Sequence, residues 1–194
     1  MTALTQLITQ IRACRHCEAE LPEDVHPIIQ ASSSAKILIA GLAPGAAANR
    51  SGLPFDDASG DRLREWLGVT RQQFYDPRLF AILPMAFCYP GRGASGDLPP
   101  PKICADKWRR ALLEQLPHIE LTLPIGQYAQ QYHFNDNNTV TARVSSWQAY
   151  GGQIMPLPHP SPRNNIWLKR HPWFVKTLLP ELKQRVASII TPVI

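Results

Sequence analysis

Three short apolar runs constrain the fold of this chain more than any other feature. Each run ends in glycine or proline or is closely followed by one of them. They are the segments Ala35–Ala40, Leu79–Pro84 and Leu121–Gly126. Runs of this length and composition are typical of strands buried on both faces. Segments with helical spacing alternate with these runs, an order that predicts a parallel sheet covered by helices on both faces. At 194 residues the chain is long enough for one buried core, so we expect a single domain over 1–194.

Four segments carry apolar residues at helical spacing and are predicted to be helices: Thr5–Ala13, Asp61–Leu67, Trp108–Leu116 and Trp173–Ile190. In open parallel sheets, ligands bind outside the carboxyl ends of the strands. The loops that should converge on such a site are those after Ala40, Leu83, Ile125 and Leu157.

The charge of the chain favours an anionic partner such as nucleic acid, since the formal net charge is +5 and the pI is near 9.2. The segment Arg163–Lys176 contains five basic or histidine side chains and no acid, which fits a surface that contacts phosphates. A solvated helix face is the alternative. Neither an export signal nor a run of eighteen apolar residues is present, so we expect a cytoplasmic protein without a membrane partner, acting as a monomer.

Four cysteines form two pairs with different spacing. Cys14 and Cys17 lie on one turn, and Cys88 and Cys104 are far apart in sequence from them and from each other. A cytoplasmic protein does not favour stable disulfides, so the spacing suggests a four-thiolate metal site that the fold must assemble, or plain thiols. Spacing alone does not choose between iron–sulfur and zinc.

Taken together, these motifs resemble the uracil-DNA glycosylase superfamily, most closely its iron–sulfur bacterial and archaeal branch, over nearly the whole chain. The order of the four cysteines matches that branch. The other motifs that carry the resemblance are Gly41-Leu42-Ala43-Pro44-Gly45, Gly52-Leu53-Pro54-Phe55, Leu123-Pro124-Ile125-Gly126-Gln127-Tyr128-Ala129 and His159-Pro160-Ser161. The extension Pro162-Arg163-Asn164 is similar to the single-strand-selective monofunctional glycosylases.

The resemblance implies an α/β fold, a three-layer α/β/α sandwich around a central, mostly parallel sheet of four strands. It implies a DNA repair glycosylase that hydrolyses the N-glycosidic bond of uracil or a related damaged base flipped out of single-stranded or duplex DNA. It also implies a structural 4Fe-4S cluster on Cys14, Cys17, Cys88 and Cys104, with zinc as the alternative. That site would pin the N-terminal helix against the loop Tyr89–Ile103.

The resemblance also assigns roles within the site. His159 would donate a hydrogen bond to the negative charge that develops on the base. Ser161 would bind a phosphate, and Arg163 and Asn164 lie where a wedge enters the gap left by the base. The basic side chains Lys169 and Arg170 would contact DNA. The residues expected around the base are Gly41, Leu42, Ala43, Pro44, Gly45, Phe55 and Pro84, with the Phe55 ring stacked on it.

Two departures from the family pattern bear on the chemistry. Leu42 stands where the iron–sulfur branch has a glutamate, and Pro84 stands where an asparagine reads the base. Another polar group must therefore position the attacking water: Asn49 is the first candidate and Asp56 or Asp57 the second, whereas Asp61 is expected to cap a helix. The alternative function is a DNA-binding relative that has lost catalysis or changed its specificity.

Overall fold

The central sheet contains three parallel strands in the part of the chain that the structure describes. The structure is a computed structural model that describes residues 2–22, 25–94 and 96–191. Its strands are, in chain order, β1 (Ile37–Ala40), β2 (Phe80–Ile82), β3 (Arg92–Gly93), β4 (Gly96–Asp97) and β5 (Leu121–Pro124). The sheet order is β2-β1-β5, with both pairs parallel, while β3 and β4 form a separate antiparallel hairpin. The predicted parallel sheet is confirmed.

The predicted fourth strand is wrong as a continuous element. Residues 154–157 run parallel to β5, but they pair with it only through two isolated bridges. On this side of β5, Thr122 donates its N–H to the Gln153 carbonyl (2.8 Å) and Gly126 donates to the Leu157 carbonyl (3.0 Å). Pro124 lies between these two donors and has no N–H, so the ladder is interrupted where a third hydrogen bond would form.

Helices precede, separate and follow the strands, as the sequence predicts. The α-helices are α1 (Ala3–Arg12), α2 (Ala46–Ser51), α3 (Ala58–Leu67), α4 (Arg71–Phe74), α5 (Lys102–Cys104), α6 (Arg110–Glu114), α7 (Gly126–Phe134), α8 (Val140–Ser145), α9 (Asn165–Arg170) and α10 (Leu179–Ile190). Two π-helical turns, Ala105–Arg109 and Phe174–Leu178, join α5 to α6 and lead into α10. No helix in the described ranges is long and apolar enough to span a membrane.

The two faces of the sheet are covered by different helices, which makes the architecture a three-layer sandwich. Alternate residues of β1 point to opposite faces, as a strand requires. Ile37 and Ile39 belong to a core that is completed by α3, α8 and α10. Leu38 belongs to a second core, which is completed by α1 and α6.

Candidate active site and cysteine cavity

An open cleft of about 540 Å³ lies at the carboxyl ends of the strands, where the sequence predicts the site. This volume is typical of small-ligand pockets. The loops that follow β1 and β2 and the segment after Leu157 all line it. A Cβ atom on Gly126 would lie 3.9 Å from the Cβ of His159, so the loop after β5 also reaches the site. The predicted residues that line the cleft are Gly41, Leu42, Ala43, Pro44, Gly45, Phe55, Asp57, Pro84, His159, Ser161, Arg163 and Asn164.

The loop after β1 is joined to the segment after β2 by backbone hydrogen bonds. Met85 donates its N–H to the Gly41 carbonyl (2.9 Å), and Ala86 donates to the Leu42 carbonyl (3.1 Å). These bonds hold Pro84, which is buried and has no N–H, beside the glycine-rich loop. This side of the cleft therefore offers a ligand an apolar surface at Leu42 and Pro84.

Phe55 is held in the cleft by an unusual backbone conformation. Its φ is 56°, in the left-handed region that costs a residue with a side chain about 1–2 kcal/mol. Gly60 in α3 lies directly against the Phe55 carbonyl, and any Cβ atom there would clash with it. The tip of the Phe55 ring lies over Gly41, where a Cβ atom would be 3.2 Å from Cζ. The two glycines therefore fix where the aromatic ring stands.

Asp57 performs the helix capping that the sequence assigned to Asp61. Its Oδ1 accepts a hydrogen bond from the Gly60 N–H at 2.9 Å and so caps α3. Its second oxygen, Oδ2, lies 3.8 Å from the position of a Cβ on Gly45, within the cleft. Asp61 instead forms an ion pair with Arg64 in the next turn. Local spacing cannot distinguish these two aspartates, because the start of α3 depends on the packing of Gly60 against Phe55.

The other two candidates for positioning water are outside the cleft lining formed by the described residues. Asn49 is buried in α2, only 8% exposed. Asp56 accepts a hydrogen bond from Arg71 at 2.8 Å, and this bond holds the pKa of Asp56 below its ordinary value. Asp57 is therefore the only one of the three in the described cleft lining.

His159 is oriented by its own loop. The backbone N–H of Ser161 donates to Nδ1 at 3.2 Å, so the proton of the neutral ring is on Nε2. Burial lowers the pKa of His159, although the negative charges of Asp57 and Asp97 oppose this effect. The side-chain amide of Asn164 donates to the His159 carbonyl at 2.7 Å and fixes the backbone. The ring is thus a neutral hydrogen-bond donor at neutral pH.

The residues after His159 mainly hold the loop together. The Ser161 hydroxyl accepts a hydrogen bond from the Arg163 N–H (3.2 Å), and the Ser161 carbonyl accepts one from Arg62 (3.2 Å). The guanidinium of Arg163 lies over Gly96 of the β3–β4 hairpin, at the place a Cβ atom would occupy. Arg163 therefore contacts the hairpin on the other side of the cleft.

The basic stretch behind this loop divides into packed rings and exposed charges. Trp167 stacks on His171 with 4.3 Å between ring centroids, and its Nε1 donates to Thr141 Oγ1 at 2.8 Å. Trp167 packs against the core, so it serves the fold. Lys169 and Arg170 are exposed at the end of α9 and lie outside the described cleft lining.

The β3–β4 hairpin contributes cleft residues that the sequence analysis missed. Arg92, Gly96 and Asp97 line the cleft, together with Tyr89 just before the hairpin. The signal that was available is the glycine-rich stretch Gly91-Arg92-Gly93-Ala94-Ser95-Gly96-Asp97, which is typical of a tight hairpin. Nothing local in that stretch indicates which way the hairpin points.

A further residue that the sequence analysis missed supports the segment of the cleft that contains Pro84. Arg109, in the π-helical turn after α5, is completely buried. Its Nη1 donates to the carbonyls of Leu83 (2.7 Å) and Pro84 (3.2 Å), and its Nη2 contacts His133 Nε2 at 3.0 Å. Burial and the positive charge of Arg109 lower the pKa of His133 to about 3, so this histidine is neutral and accepts the hydrogen bond.

The four cysteines line one cavity, called here the cysteine cavity, together with the apolar side chains of Leu21, Val25, Ile103 and Trp108. Burial raises the pKa of the Cys88 thiol to about 11 and that of Cys104 to about 12, and the other cysteines add to both shifts. Among the described residues, no three His, Cys, Asp or Glu side chains are close enough to hold one metal ion. The thiols therefore surround a shared space without converging on a single point.

The comparison with known families agrees with the fold and with the cleft described above. The sequence model of the uracil DNA glycosylase superfamily matches residues 29–183, more than half of the chain. The match includes the three parallel strands β1, β2 and β5, the cleft loops and His159. The enzymes of this superfamily are in general glycosylases that act on DNA. The chain therefore belongs to the uracil-DNA glycosylase superfamily.

Proposed function

We propose that the protein is a monofunctional DNA glycosylase that hydrolyses the N-glycosidic bond of uracil or a related damaged base. The observation that carries this proposal is the neutral His159, which faces a cleft that also contains the Phe55 ring. A base rotated out of the stack would lie against Phe55. The Nε2 proton of His159 would then be available to the base oxygen that becomes negative.

The protein must assist two parts of the reaction, the departure of the base and the attack of water on the sugar. As the bond between the base and C1′ breaks, its electron pair moves to the base, and the sugar becomes positively charged. A hydrogen bond from His159 stabilises the departing base, and a preorganised donor of this kind contributes about 2.7–4 kcal/mol. A water molecule then attacks C1′. Of the three candidates for positioning this water, Asp57 is favoured, because its Oδ2 lies in the cleft.

The test is base release from single-stranded and duplex oligonucleotides that carry one uracil, followed by alkaline cleavage of abasic sites. His159→Ala should reduce the single-turnover rate at least roughly a hundredfold, as expected for the loss of a transition-state donor. His118→Ala, which changes an exposed histidine outside the described cleft lining, is the matched control and should leave the rate unchanged. Full activity of His159→Ala would contradict the assignment.

A second function is favoured by Leu42 and Pro84, which remove the usual acid and amide from the cleft. A relative that binds DNA without releasing a base would retain the fold and the basic surface. It would show salt-dependent binding to oligonucleotides with no abasic product. Release of any base by the purified protein excludes this alternative.

We also propose that the cysteine cavity holds a structural 4Fe-4S cluster, with zinc as the alternative, since four cysteines line it. A tetrahedral zinc ion holds each thiolate at about 2.3 Å, so four sulfurs must crowd around one point. In a cluster each thiolate ligates a different iron, and the sulfurs stand farther apart. Cys14, Cys17, Cys88 and Cys104 all line the same cavity. A bound cluster would cross-link the chain segments that carry the four cysteines. Iron and acid-labile sulfide in anaerobically purified protein would support the cluster, and a colourless zinc protein would refute it.

A further inference from the structure

Two carboxylates from distant parts of the chain meet beside Gly45 in the cleft. A Cβ atom built on Gly45 would lie 3.7 Å from Asp97 Oδ2 and 3.8 Å from Asp57 Oδ2. Both oxygens are therefore within 4 Å of one point, and both residues line the cleft that contains His159. Glycine at this position leaves the space between the two carboxylates open.

The hairpin holds Asp97 at this place through its own packing. Arg92 pairs with Asp97 in the β3–β4 register, and Leu98 donates its N–H to the Gly91 carbonyl at 2.9 Å. The Leu98 side chain closes over Gly93, where a Cβ atom would be 3.1 Å away. On the cleft side, Gly96 receives the guanidinium of Arg163. Contacts on both faces of the hairpin thus determine where the Asp97 carboxylate lies.

A carboxylate in a cleft that receives DNA has an electrostatic disadvantage, since it repels phosphates. It is useful in catalysis where positive charge develops or where a water must lose a proton. Glycosidic cleavage creates both needs at C1′. Leu42 cannot meet either need, and Asp57 has one oxygen committed to the Gly60 N–H. Asp97 is the second acid in the described lining of the cleft.

We propose that Asp97 is a catalytic residue that acts with Asp57 on the attacking water; this rests on the proposed glycosylase function. Asp57 Oδ2 holds the water, and the Asp97 carboxylate accepts its proton as the water oxygen bonds to C1′. The bond from C1′ to the base nitrogen breaks, and the base leaves with the electron pair, stabilised by His159. The proton on Asp97 then passes to solvent, which restores the carboxylate.

The experiment compares Asp97→Asn, Asp97→Glu and the control Glu65→Gln, whose exposed side chain lies outside the described lining of the cleft. Single-turnover base release and binding to an uncleavable oligonucleotide are measured for each across a pH series. Asp97→Asn should release base roughly a hundredfold more slowly, the lower range for a general base. Its DNA binding should be equal or tighter, because a negative charge is removed. Asp97→Glu should restore part of the rate at each pH.

Two results would overturn the inference while leaving the glycosylase function intact. One is an Asp97→Asn rate within about twofold of the wild type, far from the change expected for a general base. The other is a loss of rate matched by an equal loss of DNA binding, which would make Asp97 a structural part of the hairpin. A wild-type protein that releases no base from any substrate would remove the proposed function and this inference together.

Discussion

The cleft and the cysteine cavity are built in opposite ways. The cleft is open and is lined by both polar and apolar side chains, and loops from the carboxyl ends of several strands form it. The cysteine cavity is small and is lined mainly by four thiols and apolar side chains, with His16 and Lys107 also in the lining. The first arrangement is suited to binding and reacting with a ligand, and the second to holding segments of chain together.

One segment of chain nevertheless belongs to both regions. In the sequence, Cys88 and Cys104 flank a segment that contains Tyr89 and the β3–β4 hairpin. Both ends of this segment therefore lie at the cysteine cavity, while its middle lines the cleft. The helical stretch that begins at Lys102 continues from Cys104 to Arg109, which holds the Pro84 carbonyl. The proposed metal group at the cysteine cavity would therefore also position groups in the cleft.

The largest effect should come from breaking the cysteine cavity. If the four cysteines hold the proposed cluster, Cys88→Ala should remove it and lower the free energy of unfolding by several kcal/mol, because metal-binding energy is also folding energy. For a domain of this size, the melting temperature should fall by roughly 10 °C. Base release by the remaining folded protein should fall as well, since the hairpin with Asp97 loses one anchor.

Iron content, thermal unfolding and single-turnover rates on one preparation measure these effects together. A Cys88→Ala protein that keeps its full rate while folded would separate the two regions and contradict the coupling through the hairpin.

A substitution confined to the cleft should have the next largest effect. Gly60→Ala places a methyl group against the Phe55 carbonyl, and overpacking of this kind costs about 1–3 kcal/mol. Because the backbone shift also moves the Phe55 ring, base release should decrease while iron content does not change. Gly45→Ala is the steric control for stability, since its nearest contacts would be at 3.7–3.8 Å. Equal melting temperatures for Gly60→Ala and the wild type would disprove the clash.

The contact between Arg109 and His133 predicts a pH effect at the back of the cleft. The pKa of His133 is lowered from 6.5 to about 3, so below pH 6.5 the unfolded chain binds a proton that the folded protein does not. The free energy of unfolding should therefore decrease as the pH falls from 6.5 towards 3, by up to about 1.4 kcal/mol per pH unit. His133→Gln retains an acceptor for Arg109 but does not titrate.

Urea unfolding of the wild type and His133→Gln at several pH values tests this effect. The difference in stability between the two proteins should be constant above pH 7 and should shift in favour of the variant at lower pH. The same pH dependence in both proteins would show that other groups cause it. Base release at neutral pH should differ little between them, because the Pro84 carbonyl keeps its donor.

The smallest effect is expected at the margin of the cleft. Lys169→Gln and Arg170→Gln each remove one exposed cation from α9. If each contacts one phosphate, the logarithmic salt dependence of DNA binding should become shallower by about one unit per substitution. Lys183→Gln, on the exposed face of α10, is the control. Salt dependences equal to the wild type would place the DNA path away from α9.

The sequence by itself determined the parts of this protein that depend on local patterns. The apolar runs that became β1, β2 and β5 stand out because buried strands and the glycine or proline that ends them are adjacent in sequence. The glycine loop after β1, Phe55 and His159 were also predicted to meet, since the carboxyl ends of parallel strands share one edge of the sheet.

Only the tertiary structure decided the features that depend on distant contacts. Asp57 rather than Asp61 caps α3 because Gly60 must pack against Phe55. The fourth strand is interrupted because Pro124 withholds a hydrogen bond from residues 154–157. Asp97 reaches the cleft because its hairpin folds back across the molecule towards Gly45 and Arg163. Each outcome depends on contacts between residues that are distant in sequence. Local spacing in the sequence carries no information about such contacts.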